Sequence, residues 1–135
     1  MNDAVALAEA ARQLVGTPFR LRGRDPESGV DCIGLVSVCL SHIGRTPPAL
    51  PRYAMRNLDL DAFARILPAV GLRPSGLAAQ PGDIVLMRPS TAQYHLAIIG
   101  PSGLFIHPHA GLRRVVEGPA PPLWPSIARW HLIET

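Results

Sequence analysis

Residues 29–44 read GVDCIGLVSVCLSHIG, and this stretch decides the fold. From Cys32 to Ile43 it holds no proline and is mostly apolar. Asp31 precedes it as an N-cap residue and Gly44 follows as a stop signal, so the stretch predicts a helix. Cys32 then falls in the first turn. There the helix N-terminus carries roughly half a positive charge and several unsatisfied N–H groups. Such a place favours thiolate over thiol and can lower a cysteine pKa below about 8.5. The same N–H groups can stabilise an oxyanion on an attacked carbonyl. Cys39 lies two turns further on, roughly 10 Å along the axis. A disulfide needs Cα atoms within about 7 Å, so both cysteines are expected as free thiols. His42 falls in the last turn, where a cation is favoured on helix grounds alone.

Working outward, residues 3–15 (DAVALAEAARQLV) predict an earlier helix capped by Asn2 or Asp3 and closed before Gly16. Residues 17–30 carry Pro18, Gly23, Pro26 and Gly29 and predict a loop. Residues 46–57 hold three prolines and predict irregular chain, and 58–67 (LDLDAFARIL) a short helix. Beyond Gly82 the period changes. Asp83–Met87, Tyr94–Ile99, Leu104–His107, Leu112–Glu117 and Ile127–Glu134 predict five strands, with a tight turn at Pro101-Ser102-Gly103. Helices first and strands after predict an α+β fold on an antiparallel sheet.

The chain has 135 residues, which suits one domain over 1–135. It is 47% hydrophobic and 17% charged, which excludes a charge-driven disordered chain. All 13 basic residues are Arg, against 10 acidic ones, a surplus of +3. Arg20, Arg22 and Arg24 alternate near the start as a solvated loop face. With no basic run and seven aromatics, nucleic acid is not an expected partner. No apolar run approaches the roughly 20 residues that span a bilayer, so membrane insertion is not expected. The N-terminus lacks the basic region of a signal peptide, so synthesis in the cytoplasm is expected.

A nucleophilic thiol needs a base, and the base an orienting partner. Of the five histidines, His95 sits in the second predicted strand and His107 at the end of the third. If the 101–103 turn pairs residue 99 with about 104, then 95 lies near 108 and can share a face with 107. His109 competes with His107. Pro108 cannot donate to a ladder and is expected to end the strand, leaving His109 at the cleft rim. His131 shows no partner in the sequence. One cysteine and three histidines could form a mixed zinc set, but the spacings do not suit a compact site, so no metal and no cofactor are expected.

Five motifs in order carry a resemblance: Gly16-Thr-Pro-Phe-Arg, Gly29-Val-Asp-Cys-Ile-Gly-Leu-Val, Gln80-Pro-Gly-Asp-Ile-Val, Tyr94-His-Leu-Ala-Ile-Ile-Gly and Phe105-Ile-His. Together they resemble the NlpC-type papain-like cysteine peptidases, from about residue 5 to the C-terminus. The resemblance implies N-terminal helices packed on a five- to six-stranded antiparallel sheet. It implies Cys32 as nucleophile, His95 as base and His107 as the residue orienting it, and so selects His107 over His109. It implies hydrolysis in the peptidoglycan stem peptide, usually between γ-D-glutamate and a diamino acid. The chain's small size and lack of a signal resemble the branch carried in phage and gene-transfer-agent tails, which implies tail proteins as partners and action on the cell wall.

Two positions depart from the family pattern. Phe19 stands where the family commonly has Tyr, so a hydroxyl is missing beside the substrate. Ile33 stands where it commonly has Ser. Asp31 is kept and is expected to receive the ammonium of the stem peptide. Asp31, Phe19 and His109 are thus the expected substrate contacts. The alternatives are an amidase or acyltransferase on the same scaffold, or a structural or wall-binding tail protein whose site has decayed.

Overall fold

The computed structural model describes residues 2–46, 65, 67–91 and 93–133. Helix α1 spans Asp3–Gln13 and helix α2 spans Cys32–His42. Between them lies a two-stranded ladder, β1 (Arg24–Asp25) and β2 (Gly29–Val30). A 3-10 turn at Leu67–Val70 leads into β3 (Leu72–Pro74). Then follow β4 (Ile84–Ser90), β5 (Gln93–Ile99), β6 (Phe105–His109), β7 (Arg114–Gly118) and β8 (Ser126–Leu132). The main sheet is antiparallel and six-stranded, in the order β3-β8-β4-β5-β6-β7. The α+β class with an antiparallel sheet is as expected.

Local chemistry sets the helix bounds. The Asn2 side chain accepts from the Val5 N–H at 2.8 Å and starts α1. Asp31 caps α2 by accepting from the Gly34 N–H, also at 2.8 Å. Ile43 closes α2, and Gly44 follows at φ +85°, the left-handed conformation that glycine adopts without strain. One face of the sheet packs on the helices: Ile84, Leu86, Leu96, Ile98 and Ile106 join Leu7, Leu35 and Leu40 in one buried cluster. The alternate residues Val85, Met87, Ala97 and Ile99 are buried on the other face, against Phe105 and Trp124. Burial on both faces is why DIVLM and LAII are continuous apolar runs.

Two expectations are corrected, one strand was missed, and one expected helix lies outside the described residues. The loop expected over 17–30 contains the β1–β2 ladder, too short to leave a sequence period. Strand β3 went unread because Leu72–Pro74 is three residues ending in proline; it holds the sheet edge through β8. The helix expected over 58–67 lies outside the described residues except Arg65 and Leu67, and Leu67 belongs to the 3-10 turn. The third strand of the expected five does not stop at His107. It runs through Pro108 to His109, pairing Pro108 with Val115 and His109 with Arg114.

The reason Pro108 is tolerated matters for the site. Val115 turns its N–H to the Thr17 carbonyl (2.8 Å) and its carbonyl to the Gly16 N–H (2.9 Å). Pro108 and Val115 therefore exchange no hydrogen bonds, and the missing N–H costs nothing on that side. The other side is β5, where pairing stops after Ile98↔Ile106. Proline thus ends the β5–β6 ladder and leaves the β6–β7 ladder intact. The two strands splay at the level of His95 and His107.

Candidate active site

Helix α2 delivers Cys32 to this splay. Strand β5 sends alternate N–H groups to opposite neighbours: Ile99 donates to the Asp83 carbonyl at 2.9 Å, Gly100 to the Leu104 carbonyl at 2.8 Å. The same alternation points the Leu96 N–H toward β6, where its partner would have been Pro108. That N–H hydrogen-bonds Cys32 instead. Gly34 allows a second close approach, of the preceding loop. A Cβ on Gly34 would overlap the Gly23 carbonyl oxygen, so the 18–30 loop lies directly on the first turn of α2.

Asp31 is 1% exposed and ties this corner together. Its Oδ1 accepts from the Gly34 N–H (2.8 Å) and from Arg24 (3.0 Å), and its Oδ2 from the Arg22 N–H (2.8 Å). Arg22 sits at φ +61°, a conformation a non-glycine residue holds only when its surroundings fix it. Of the three alternating arginines, Arg24 therefore pairs with Asp31.

Cys32, His95, Phe19, Asp31, His109 and Trp124 line one cleft. The His95 Nε2 and His107 Nδ1 atoms are 3.0 Å apart, a hydrogen bond between rings. The register differs from expectation. Residue 99 pairs with 105, which sets 95 opposite 109 had the ladder continued. The His95–His107 contact is diagonal and forms because the strands splay. His109 is the last residue of β6 rather than a residue beyond it. Its Nδ1 accepts from the Leu112 N–H at 3.1 Å, and its ring stacks on Trp124 at 6.3 Å between centroids.

The electrostatics reverse one expectation. Burial pushes the Cys32 thiol up to about 12. The Leu96 N–H of β5 pulls it down, as do the Ile33 and Cys32 N–H groups at the helix N-terminus, while Asp31 adds to the rise. At 2% exposure, desolvation outweighs the helix terminus. His95 is lowered to about 3 by burial, with His107 and His109 adding to it and the Pro108 backbone opposing it. His107 is lowered to about 4, by burial and then His109. Burial thus favours a neutral thiol and neutral imidazoles in the resting site. Cys39 is also raised to about 12, by burial alone, and lies fully inside the helix–sheet core. Both cysteines are free.

His131 is not unpartnered. Its Nδ1 lies 2.6 Å from Asp83 Oδ1, while Asp83 Oδ2 accepts from Arg129 at 2.7 Å. This buried carboxylate ties β8 to the start of β4, away from the cleft. Among the described residues, no group of three or more His, Cys, Asp or Glu side chains is arranged to hold a metal ion. No helix among them is long and apolar enough to cross a membrane.

Residues 16–126 match the NlpC/P60 family. The chain belongs to the NlpC/P60 family. Its fold is shared with NlpC2 from Trichomonas vaginalis (TM-score 0.72, 18% identity, 96% of this chain and 48% of that one). It also resembles the NlpC/p60 domain of the peptidoglycan hydrolase SagA (0.59, 27%, covering 88% and 90%). A third likeness is to the peptidoglycan hydrolase RipB from Mycobacterium tuberculosis (0.64, 17%, covering 98% and 66%). This NlpC/P60 chain spans about half the length of the Trichomonas protein. Comparison with curated proteins finds no match.

Sequence reasoning missed Trp124. Its ring centroid lies 5.3 Å from that of His95 and 5.6 Å from that of His107. The available signal was a large aromatic in PAPPLWP (residues 119–125), a segment where prolines leave little reason for a tryptophan unless it packs on something.

Proposed function

We propose that this NlpC/P60 protein is a cysteine peptidase acting on the peptidoglycan stem peptide, at the bond between γ-D-glutamate and a diamino acid. The observation that carries the reading is the 3.0 Å His95–His107 hydrogen bond beside a cleft that Cys32 also lines. Membership of the family and the likeness to the SagA peptidoglycan hydrolase domain support the substrate class.

In this reading Cys32 Sγ attacks the carbonyl carbon as its proton passes to His95. Because His95 Nε2 faces His107, the accepting nitrogen is Nδ1, and His95 must carry its own hydrogen on Nε2. That hydrogen is donated to His107 Nδ1, which fixes the tautomer. The oxyanion forms beside the N–H groups at the start of α2. His95 then returns the proton to the leaving amine, the acyl–Cys32 thioester forms, and water hydrolyses it with His95 again as base. A neutral resting pair suits this sequence, since proton transfer accompanies attack. Asp31, Phe19 and His109 flank the cleft as substrate contacts.

The test is digestion of purified sacculi of known stem chemistry, with mass analysis of the released fragments. Fragments ending in γ-D-glutamate support the reading, and intact stems overturn it. Association with a phage-type tail rests on the sequence resemblance alone; co-purification of the chain with assembled tail particles tests it.

A further inference from the structure

We propose that Trp124 is a positioning residue that keeps water off the His95–His107 hydrogen bond and thereby holds His95 in the tautomer with its open nitrogen toward Cys32. The proposal rests on reading Cys32 and His95 as the reacting pair. Trp124 touches both members of that bond edge-on, at interplanar angles of 73° to His95 and 68° to His107. It lies nearly flat on His109, at 19°. The indole therefore closes one side of the imidazole pair, and His109 backs it toward the cleft.

Although it sits in an irregular loop between β7 and β8, the residue is anchored through its backbone. Its backbone N–H donates to the Pro121 carbonyl at 3.1 Å, and the carbonyl of the next residue, Pro125, accepts from the Arg88 N–H at 2.9 Å. The ring packs against the buried Val85, Met87, Ala97 and Ile99. His109 is fixed in turn by the Leu112 N–H.

Such a cover is needed because the bond joins two neutral rings. Either ring can donate. If His107 donates, His95 carries its hydrogen on Nδ1 and cannot accept one from the thiol. Water reaching either nitrogen would compete with the bond and let the two arrangements exchange. Among the described residues, the titratable group whose charge bears on the pair is His109 from β6, and Cys32 lines the same cleft as His95.

Two measurements on the whole chain test this without any cell-wall substrate. Side-chain ¹⁵N shifts of His95 at neutral pH report its tautomer, and iodoacetamide labelling of Cys32 reports the thiol–imidazole pair. In the wild type and in Trp124→Phe, His95 is expected to carry its hydrogen on Nε2. In Trp124→Ala the shifts should average between tautomers and labelling should slow by about tenfold, near the loss of one hydrogen bond. A folded Trp124→Ala with wild-type shifts and labelling overturns the proposal. If Trp124→Ala does not fold, Trp124→Leu decides on the same criteria. His95→Gln separates the two levels. If it labels as fast as the wild type, the Cys32–His95 pairing fails; if it slows while Trp124→Ala does not, only the role of Trp124 fails.

Discussion

Replacing Asp31 by Ala should cost about 3 kcal/mol of stability, and the figure can be built from its bonds. Loss of the Gly34 N–H contact at 2.8 Å removes an N-cap, typically about 1 kcal/mol. Loss of the 2.8 Å bond to the Arg22 N–H removes a charged acceptor from a part-buried donor, roughly 1.5–3 kcal/mol. The Arg24 pair adds little, about 0–1 kcal/mol, because the Arg24 side chain is 40% exposed and screened by solvent. Urea denaturation at neutral pH gives the difference directly. Asp31→Asn should lie between, since an amide oxygen still caps Gly34 while the amide nitrogen cannot accept from Arg22. An Asp31→Ala protein within about 0.5 kcal/mol of wild type would refute the view that this carboxylate holds the loop onto α2. The proposed contact with a substrate ammonium is tested separately. Acetylating the amino end of a muropeptide should weaken its binding to wild type and leave its binding to Asp31→Asn unchanged.

Four further outcomes are expected. Iodoacetamide should label Cys32 far faster than Cys39, because Cys32 lines the cleft beside His95 whereas Cys39 is sealed in the core; mass mapping of the folded protein reads this, and faster labelling of Cys39 would defeat the assignment. Cys32→Ala should abolish sacculus cleavage and shift stability by less than the ~2–5 kcal/mol of a large core truncation; near wild-type cleavage would sink the mechanism. His107→Asn should lower turnover strongly and His109→Asn mainly weaken substrate affinity, and the reverse pattern on one muropeptide would exchange their roles. Stability should fall on acidification: His95 and His107 take up protons near 6.5 when unfolded but only at about 3 and about 4 when folded, so below 6.5 the unfolded state binds more protons. The slope approaches ~1.4 kcal/mol per pH unit per ring, and urea midpoints at pH 7 and 5 should converge in His95→Gln; an unchanged slope in that variant would count against the buried neutral ring.

Asp31, Cys32 and Gly44 announced helix α2 and its first-turn thiol, because capping and helix propensity act within a few residues of chain. Strands β4 to β8 were legible in the same way, with ends displaced by at most three residues. The family was legible too, since its motifs are local words in a fixed order. Three things were decided only in three dimensions. The thiol's proton affinity depends on how much water the folded chain excludes, and burial overrides the helix terminus that the sequence displays. The meeting of His95 with His107 depends on where the β5–β6 ladder stops. Pro108 set that point, and the effect of its missing N–H depends on which neighbour it faces. Trp124 and Asp83 act on histidines far away in the chain, at separations that carry no periodicity. A sequence therefore fixes which groups are available and how each local turn begins. Exclusion of water and the diagonal contacts across the splayed strands arise only when the sheet closes on the helices.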